Sequence, residues 1–486
     1  MENAYIGKLG YTLSKSELSK ENYKKIKKEL LVKPFVPKCI QQIPCEPFPI
    51  YRESSSKIYL PRFYGINTFG DPKNYKILNN EKISLNFEGE LRDYQLNIAN
   101  KYINHVSDKG GALLEMDTGM GKTVLALYIL AQLNVKTIIL VHKEFLLNQW
   151  VERIQEFLPS ARIGRIQGKK VEIDDCQIVM GMIQSISTKD YNNELFKSFG
   201  LTIIDEVHHM GAEVFSNALN KIVTQYTLGL SATMKRKDGL SMVFKMFLGE
   251  ILHSEKRDTK DTNVLVNKMI YKVNDSEFND LILDYRGNVS YVKMISKICE
   301  YNPRNEFILE IIKEIINNRK EAHIILLAHN KSMLKYLYEA INFRKICEVG
   351  YYVGGMKEEE LKKSESKQLL LATYSMAAEG LDIKTLNTLI LATSKTDVVQ
   401  SVGRILRTKH VQPIIYDIVD SHENFEKQFV QRKRFYIKQK YKINAICNKK
   451  FDSREYETIY DPENPQNQKK DDENTEPFVG KCLIKL

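Results

Sequence analysis

The chain has 486 residues, of which 43% are hydrophobic and 27% charged, enough for two or three domains each with its own core. It holds no apolar run near the ~18 residues that cross a bilayer, and its first residues lack both a signal-peptide core and an Arg-rich transit pattern, so a membrane or secretory role is not expected. A net charge of +11 suits a polyanionic partner, with Lys24, Lys25, Lys27 and Lys28 early and Arg432, Lys433, Arg434, Lys438, Lys440 and Lys442 late.

Residues 1–90 carry no nucleotide motif. A polar helix is predicted from about Ser16 to Leu31, followed by a Pro- and aromatic-rich stretch from Pro34 to Phe69 that is too hydrophobic for a free linker. This region is read as an accessory domain or a strap across the lobe that follows. Seven cysteines are scattered singly. Only Cys39 and Cys45 lie close, with no second Cys or His pair at metal-ligand spacing, so reduced thiols in a cytoplasmic or nuclear-type compartment are expected.

From residue 91 short apolar runs alternate with helical stretches. The predicted strands are ALLEM (112–116), KTIILV (136–141), QIVMGM (177–182), LTIIDE (201–206) and YTLGLSA (226–232). They are continuously apolar, as parallel strands covered on both faces are. A polar connecting segment is expected over 256–305. A second series follows within 306–450, with HIILLA (323–328), KQLLLAT (367–373), TLILAT (388–393) and PIIYDIVD (413–420). The fold class is therefore α/β, with two parallel-sheet lobes in tandem at 91–255 and 306–450. The stretch DPENPQNQKKDDENTEP (461–477) is polar, Pro-containing and aromatic-poor, and residues 451–486 are expected to form a mostly disordered tail.

Three segments carry chemistry. MDTGMGKT sits between a strand and a helix, the context a phosphate loop requires. Thr118, Gly119, Met120 and Gly121 would form the cradle, Lys122 would reach the β- and γ-phosphates of ATP, and Thr123 would ligate Mg²⁺. Met116 replaces the first small residue of the loop pattern. In IIDEVHH, Asp205 at a strand's C-terminal edge is placed to hold Mg²⁺, and Glu206 to polarise the attacking water. In QSVGRILR, Arg404 and Arg407 lie three apart on a predicted helix and would share a face, as guanidinium groups from a second lobe that meet phosphoryl charge.

LRDYQ (91–95), MDTGMGKT, DEVH, SAT (231–233), ATYSMAAEGLDI (372–383) and QSVGRILR, in this order, resemble the superfamily 2 helicases of the DExH type over residues 90–420. The resemblance implies two RecA-like lobes and nucleic-acid-stimulated ATP hydrolysis. It places Arg92 and Gln95 on the adenine side. His208, Ser231, Ala232 and Thr233 would couple hydrolysis to the track, Gly380 and Asp382 would contact nucleotide from the second lobe, and Gln400 would sense the γ-phosphate. KRKDGL (235–240) and LVHKEFLLNQW (140–150) look nearer the DNA-translocating transcription and repair branch. NPRNEFILEII (302–312) and the N-terminal leader resemble the transcript-release helicases of large DNA viruses, which adds transcription machinery as a partner and a virion as a location.

The expected track is DNA or RNA gripped by its backbone, with little sequence specificity. Lys143, Gln184, Ser185 and Thr373 follow strands and are candidate backbone contacts. FYGINTF (63–69) is read as a buried aromatic cluster before a base-stacking surface. RKRFYIKQKYK (432–442) fits either a strand-tracking surface or a packed basic helix. Two rivals remain: an RNA helicase with the same motor, and a binding module in which ATP switches affinity without strand movement. Glu206, Arg404 and Arg407 argue against the latter. A restriction-system motor is disfavoured, since no nuclease signature follows.

Overall fold

A computed structural model describes residues 3–35, 46–77, 81–117, 119–236, 238–255, 263–379, 381, 383–406 and 410–464. The chain divides into two compact units, Met1–Arg257 and Asp258–Leu486. Among the described residues no helix is long and apolar enough to cross a membrane.

The first unit is built on an eight-stranded sheet whose order runs Lys170–Glu172, Ile163–Gln167, Ile178–Met182, Thr137–Val141, Leu201–Ile204, Tyr226–Ser231, Gly111–Met116, Ile251–Glu255. Every pair is parallel except the Lys170–Glu172 edge. Thr137–Val141 and Leu201–Ile204 are buried along their whole length, which is why they read as unbroken apolar runs. The register sets Ser231 opposite Glu115, and Ile204 between Leu140 and Gly229. Three neighbouring strands therefore release their following loops at one edge, the carboxyl edge where open α/β sheets hold ligands.

The N-terminal region is a small fold on this unit. Its sheet runs Arg52–Glu53, Lys57–Leu60, Gly10–Ser14, Tyr5–Gly7, Asn74–Tyr75. The expected polar helix spans Lys20–Glu29, shorter than the stretch read from sequence, and Ser19 caps it by accepting the Asn22 amide at 3.1 Å. Ile6, Leu13, Ile26 and Ile58 join one core with Leu113, Val207 and Phe244 of the α/β layer. The FYGINTF segment forms helix Arg62–Phe69, with Phe63 and Tyr64 buried. Arg62, also buried, donates to the carbonyls of Thr224 (3.2 Å) and Gln225 (2.7 Å).

The second unit repeats the plan, in the order Val349–Tyr352, Leu369–Thr373, Ile324–Ala328, Thr388–Leu391, Ile414–Asp420, Leu265–Tyr271, Lys442–Cys447, Glu457–Tyr460. Only the last strand is antiparallel to its neighbour. Two sequence expectations differ here. The stretch read as a connecting segment contributes Leu265–Tyr271, an interior strand between Ile414–Asp420 and Lys442–Cys447. The stretch read as tail contributes Glu457–Tyr460; residues 465–486 lie outside the described residues, as do Cys39, Cys45 and Cys482. The segment 432–442 is largely the end of helix Glu423–Lys438, with Arg432 and Tyr436 buried, so it packs on its own unit.

Candidate nucleotide site on the first sheet

The loop after strand Gly111–Met116 turns through two glycines in the left-handed region, Gly119 (φ +83) and Gly121 (φ +73), before helix Lys122–Leu133 begins. Both angles are ones that glycine adopts without steric cost. At Gly121 space is closed as well: a Cβ there would meet Gln95 Nε2 at 2.5 Å. Gln95 is buried and clamps the loop. Its Nε2 donates to the Met120 carbonyl at 3.0 Å and the Gly121 carbonyl at 3.3 Å, while its Oε1 accepts the Arg92 amide at 3.0 Å. Tyr94 Oη donates to the same Met120 carbonyl at 2.9 Å, and Arg92 Nη1 donates to Tyr94 Oη at 3.3 Å. Arg92 and Gln95 thus sit beside the phosphate loop, with Gln95 shaping its backbone.

Lys122 donates from Nζ to the Met116 carbonyl at 3.0 Å and lies 4.0 Å from Glu206 Oε1. Phosphate loop and acidic pair, 84 residues apart in the chain (122 to 206), therefore meet. Thr123 is the second residue of the helix. Thr118 lies outside the described residues.

Asp205 follows its strand and is 7% exposed. Its Oδ1 accepts the Glu206 amide at 2.9 Å and its Oδ2 accepts the Trp150 indole N–H at 2.9 Å. Burial, then the neighbouring Glu206 carboxylate, pushes its pKa up to about 6, against the opposing pull of Lys122. Glu206 adopts φ +48, a left-handed conformation that is uncommon for a residue with a side chain.

Beyond Glu206 a polar relay runs to the next strand. His208 Nδ1 lies 3.4 Å from Glu206 Oε2 and 2.6 Å from Ser231 Oγ. Ser231 Oγ donates its proton to the Thr233 carbonyl at 2.6 Å, so it accepts from His208, which assigns the ring proton to Nδ1. Burial holds the His208 pKa down at about 4, so the ring is neutral at pH 7. Ala232 lies within this turn, and the Thr233 amide returns to Ser231 Oγ at 3.3 Å.

Sequence reasoning missed three residues here. Trp150 reaches Asp205 from helix Glu144–Phe157. Glu115 accepts the Met234 amide at 3.1 Å and the Ser254 hydroxyl at 2.7 Å, fixing the start of the loop after SAT. Arg236 donates to the carbonyls of His208 (3.3 Å) and Met210 while its Nε grips Asp238 at 2.7 Å, tying that loop to the VHH turn. The quoted runs LLNQW and KRKDGL contained Trp150 and Arg236, yet no periodicity marks such contacts.

Three of the backbone-contact candidates bond within their own units. Gln184 donates to the His142 carbonyl at 2.8 Å, Ser185 Oγ accepts the Gly168 amide at 3.0 Å, and Thr373 Oγ1 lies 3.2 Å from Ser375 Oγ. Lys143 precedes helix Glu144–Phe157 as its N-cap. Gln400 and Arg404 belong to the second unit. The helix that carries Gln400 and Arg404 is Val399–Arg404. Arg404 is buried, with Nη1 donating to the Leu381 carbonyl at 2.6 Å. Arg407, Gly380 and Asp382 lie outside the described residues.

Comparison with known proteins gives the same two-part division. A family model described as type III restriction enzyme, res subunit, matches residues 88–236, and one described as helicase conserved C-terminal domain matches 307–409. A protein of Acanthamoeba polyphaga mimivirus, provisionally named ATP-dependent RNA helicase L396, is 38% identical over 472 residues, covering 94% of this chain and 90% of its own length. The provisionally named helicase 161L of Invertebrate iridescent virus 6 is 27% identical, over 73% of this chain and 83% of its own. A protein of African swine fever virus (strain Badajoz 1971 Vero-adapted), provisionally named ATP-dependent RNA helicase QP509L, is 25% identical, over 78% and 79%.

Proposed function

We propose, for a chain that belongs to the superfamily 2 helicases, that its ATP is hydrolysed at the carboxyl edge of the first sheet and that the resulting motion is spent on DNA. The chain is an ATP-dependent helicase; the assignment of residues and track is the proposal. The observation that carries it is the meeting of Lys122 with Glu206 at 4.0 Å, beside a buried Asp205.

The amides entering helix Lys122–Leu133 and the Lys122 ammonium would hold the phosphates, an arrangement that suits an anion at a helix start. Thr123 and Asp205 supply hard oxygen donors of the kind Mg²⁺ takes. They fit it, because Asp205 is a buried carboxylate whose ionised form is disfavoured by burial and by Glu206, a disfavour that a cation relieves. Bound there, Mg²⁺ would neutralise charge on the phosphate oxygens. Glu206 would orient and polarise the attacking water. His208 and Ser231 would pass the state of Glu206 to the SAT turn. From the second lobe, Gln400, Arg404, Arg407, Gly380 and Asp382 would meet the nucleotide when the lobes close, so that nucleic acid stimulates turnover by promoting closure.

Glu206→Gln tests the assignment. It should keep nucleotide affinity and lose hydrolysis, and wild-type turnover from it removes Glu206 from the role. DNA is favoured as track by DEVH and the form of KRKDGL. The names of two relatives favour RNA, the second reading. ATPase stimulation by single-stranded DNA, duplex DNA and RNA decides between them, and stronger stimulation by RNA overturns the DNA assignment. Service in viral transcription, with the transcription machinery as partner and packaging in the virion, is the setting proposed from the transcript-release resemblance.

A further inference from the structure

The two oxygens of Asp205 are divided between two donors. Oδ1 takes the amide of the next residue, and Oδ2 takes the indole N–H of Trp150, each at 2.9 Å. Trp150 is 2% exposed and is the one tryptophan in 486 residues. It is held in the core by Leu146, Leu147 and Ile154 of its own helix together with Leu114, Ile139 and Ile203 of the sheet. Packing accounts for a large aromatic ring at this position. It does not account for an N–H aimed at one oxygen of the carboxylate whose other oxygen is already fixed.

An indole N–H only donates, and a carboxylate is its strongest neutral-to-charged acceptor. The bond therefore does two things: it favours the ionised form of a buried acid, and it restricts rotation of the carboxylate about its Cβ–Cγ axis. Groups that orient a metal-holding side chain in this way commonly change metal affinity about 10–100-fold when removed.

We propose that Trp150 is a positioning residue for Asp205, its indole N–H fixing the orientation in which that carboxylate meets the Mg²⁺ of the bound nucleotide. This rests on the assignment of Asp205 as a Mg²⁺ holder made above. Because no other tryptophan is present, the tryptophan emission of the full chain, excited apart from its 26 tyrosines, reports on the surroundings of this one residue.

The test uses the full-length protein, ADP and Mg²⁺. Calorimetry measures ADP affinity in EDTA and across a Mg²⁺ titration for wild type and Trp150→Phe, which keeps an aromatic ring and deletes the donor. The expected result is unchanged ADP affinity in EDTA with a Mg²⁺ midpoint raised about 10-fold or more; a purely structural role would weaken both together. In parallel, wild-type tryptophan emission should change on adding Mg²⁺ to the ADP complex, with the calorimetric midpoint, and the response should vanish in Asp205→Asn. This arm stands even if Trp150→Phe fails to fold. An unaltered Mg²⁺ midpoint in Trp150→Phe, or emission indifferent to Mg²⁺ while Mg²⁺ still tightens ADP binding, overturns the proposal and leaves the ATPase assignment intact. A wild type whose ADP affinity ignores Mg²⁺ overturns the assignment of Asp205 itself.

Discussion

Asp205 follows strand Leu201–Ile204 of the first sheet, and Asp420 closes strand Ile414–Asp420 of the second. Both are buried, at 7% and 0% exposure, and the protein answers them in opposite ways. Asp420 faces the equally buried Arg304, which contacts both its oxygens, at 2.9 Å for the Nη2–Oδ2 bond, and also reaches the Ala392 carbonyl at 2.7 Å. Asp417, three residues earlier, receives Arg432 through two bonds of 2.8 Å and the Tyr436 hydroxyl at 3.0 Å. Asp205 receives a neutral indole and a backbone amide. A buried charge is costly unless paired. In the second sheet a guanidinium pairs each acid permanently, so these are parts of the scaffold. In the first sheet the acid stands beside a phosphate loop and another carboxylate, and a cation that arrives with nucleotide is its natural complement. The difference separates an acid that holds the fold from the acid proposed to hold the nucleotide's cation.

The largest expected effect lies on the first side of that comparison. Glu206→Gln should reduce turnover by about 10²–10⁴-fold, the range for removal of a positioned proton-transfer group, with ADP affinity retained. Lys122→Ala should instead lose the affinity. Arg404→Ala should lower turnover by more than it lowers nucleotide affinity and abolish stimulation by nucleic acid, since its charge would matter only as phosphoryl charge develops. Full stimulation in that variant would make Arg404 a scaffold arginine like Arg304.

On the other side, Arg304→Ala leaves Asp420 buried and unpaired. It should cost about 3–5 kcal/mol in denaturant unfolding, an effect visible without nucleotide. A cost near zero would mean that Asp420 finds another partner or takes up a proton.

The smallest effect concerns pH. The His208 pKa is lowered by burial from 6.5 to about 4, so protons bind the unfolded chain more readily. The stability it contributes is complete above pH 6.5 and is lost as pH falls toward 4, by at most ~3 kcal/mol. His208→Asn keeps a donor for Ser231 and removes the titration. Stability of the wild type relative to this variant should therefore decline between pH 6.5 and 4, and parallel curves would show that His208 is not held neutral.

Much of this was legible in the sequence because parallel strands covered on both faces advertise themselves as apolar runs. TIILV, LTII and IILLA needed no tertiary information. Leu265–Tyr271 escaped because Asn267 and Lys268 interrupt its pattern, although Asn267 is buried and the Lys268 ammonium sits 4.4 Å above the Phe429 ring. The short strands of the N-terminal sheet escaped because two to five residues carry too little periodicity. In the site, Lys122, Asp205 and Glu206 were readable because loop chemistry fixes residue types at fixed spacing. Trp150 was not, since its contact spans 55 residues and depends on how helix Glu144–Phe157 packs on the sheet.

The most direct test sets Asp205→Asn against Asp420→Asn in the full chain, measuring unfolding stability with and without Mg²⁺ and ADP. Asp205→Asn removes a buried acid but keeps only one of the two acceptors that Trp150 and the Glu206 amide use, so without ligand it should cost no more than about 1–3 kcal/mol, and it should lose the extra stabilisation that Mg²⁺ adds to ADP. Asp420→Asn should be several kcal/mol less stable throughout, by about 3–5 kcal/mol for an arginine left without its charge partner, and should keep the Mg²⁺ increment. Equal losses in the two variants, or an intact Mg²⁺ increment in Asp205→Asn, would contradict the account.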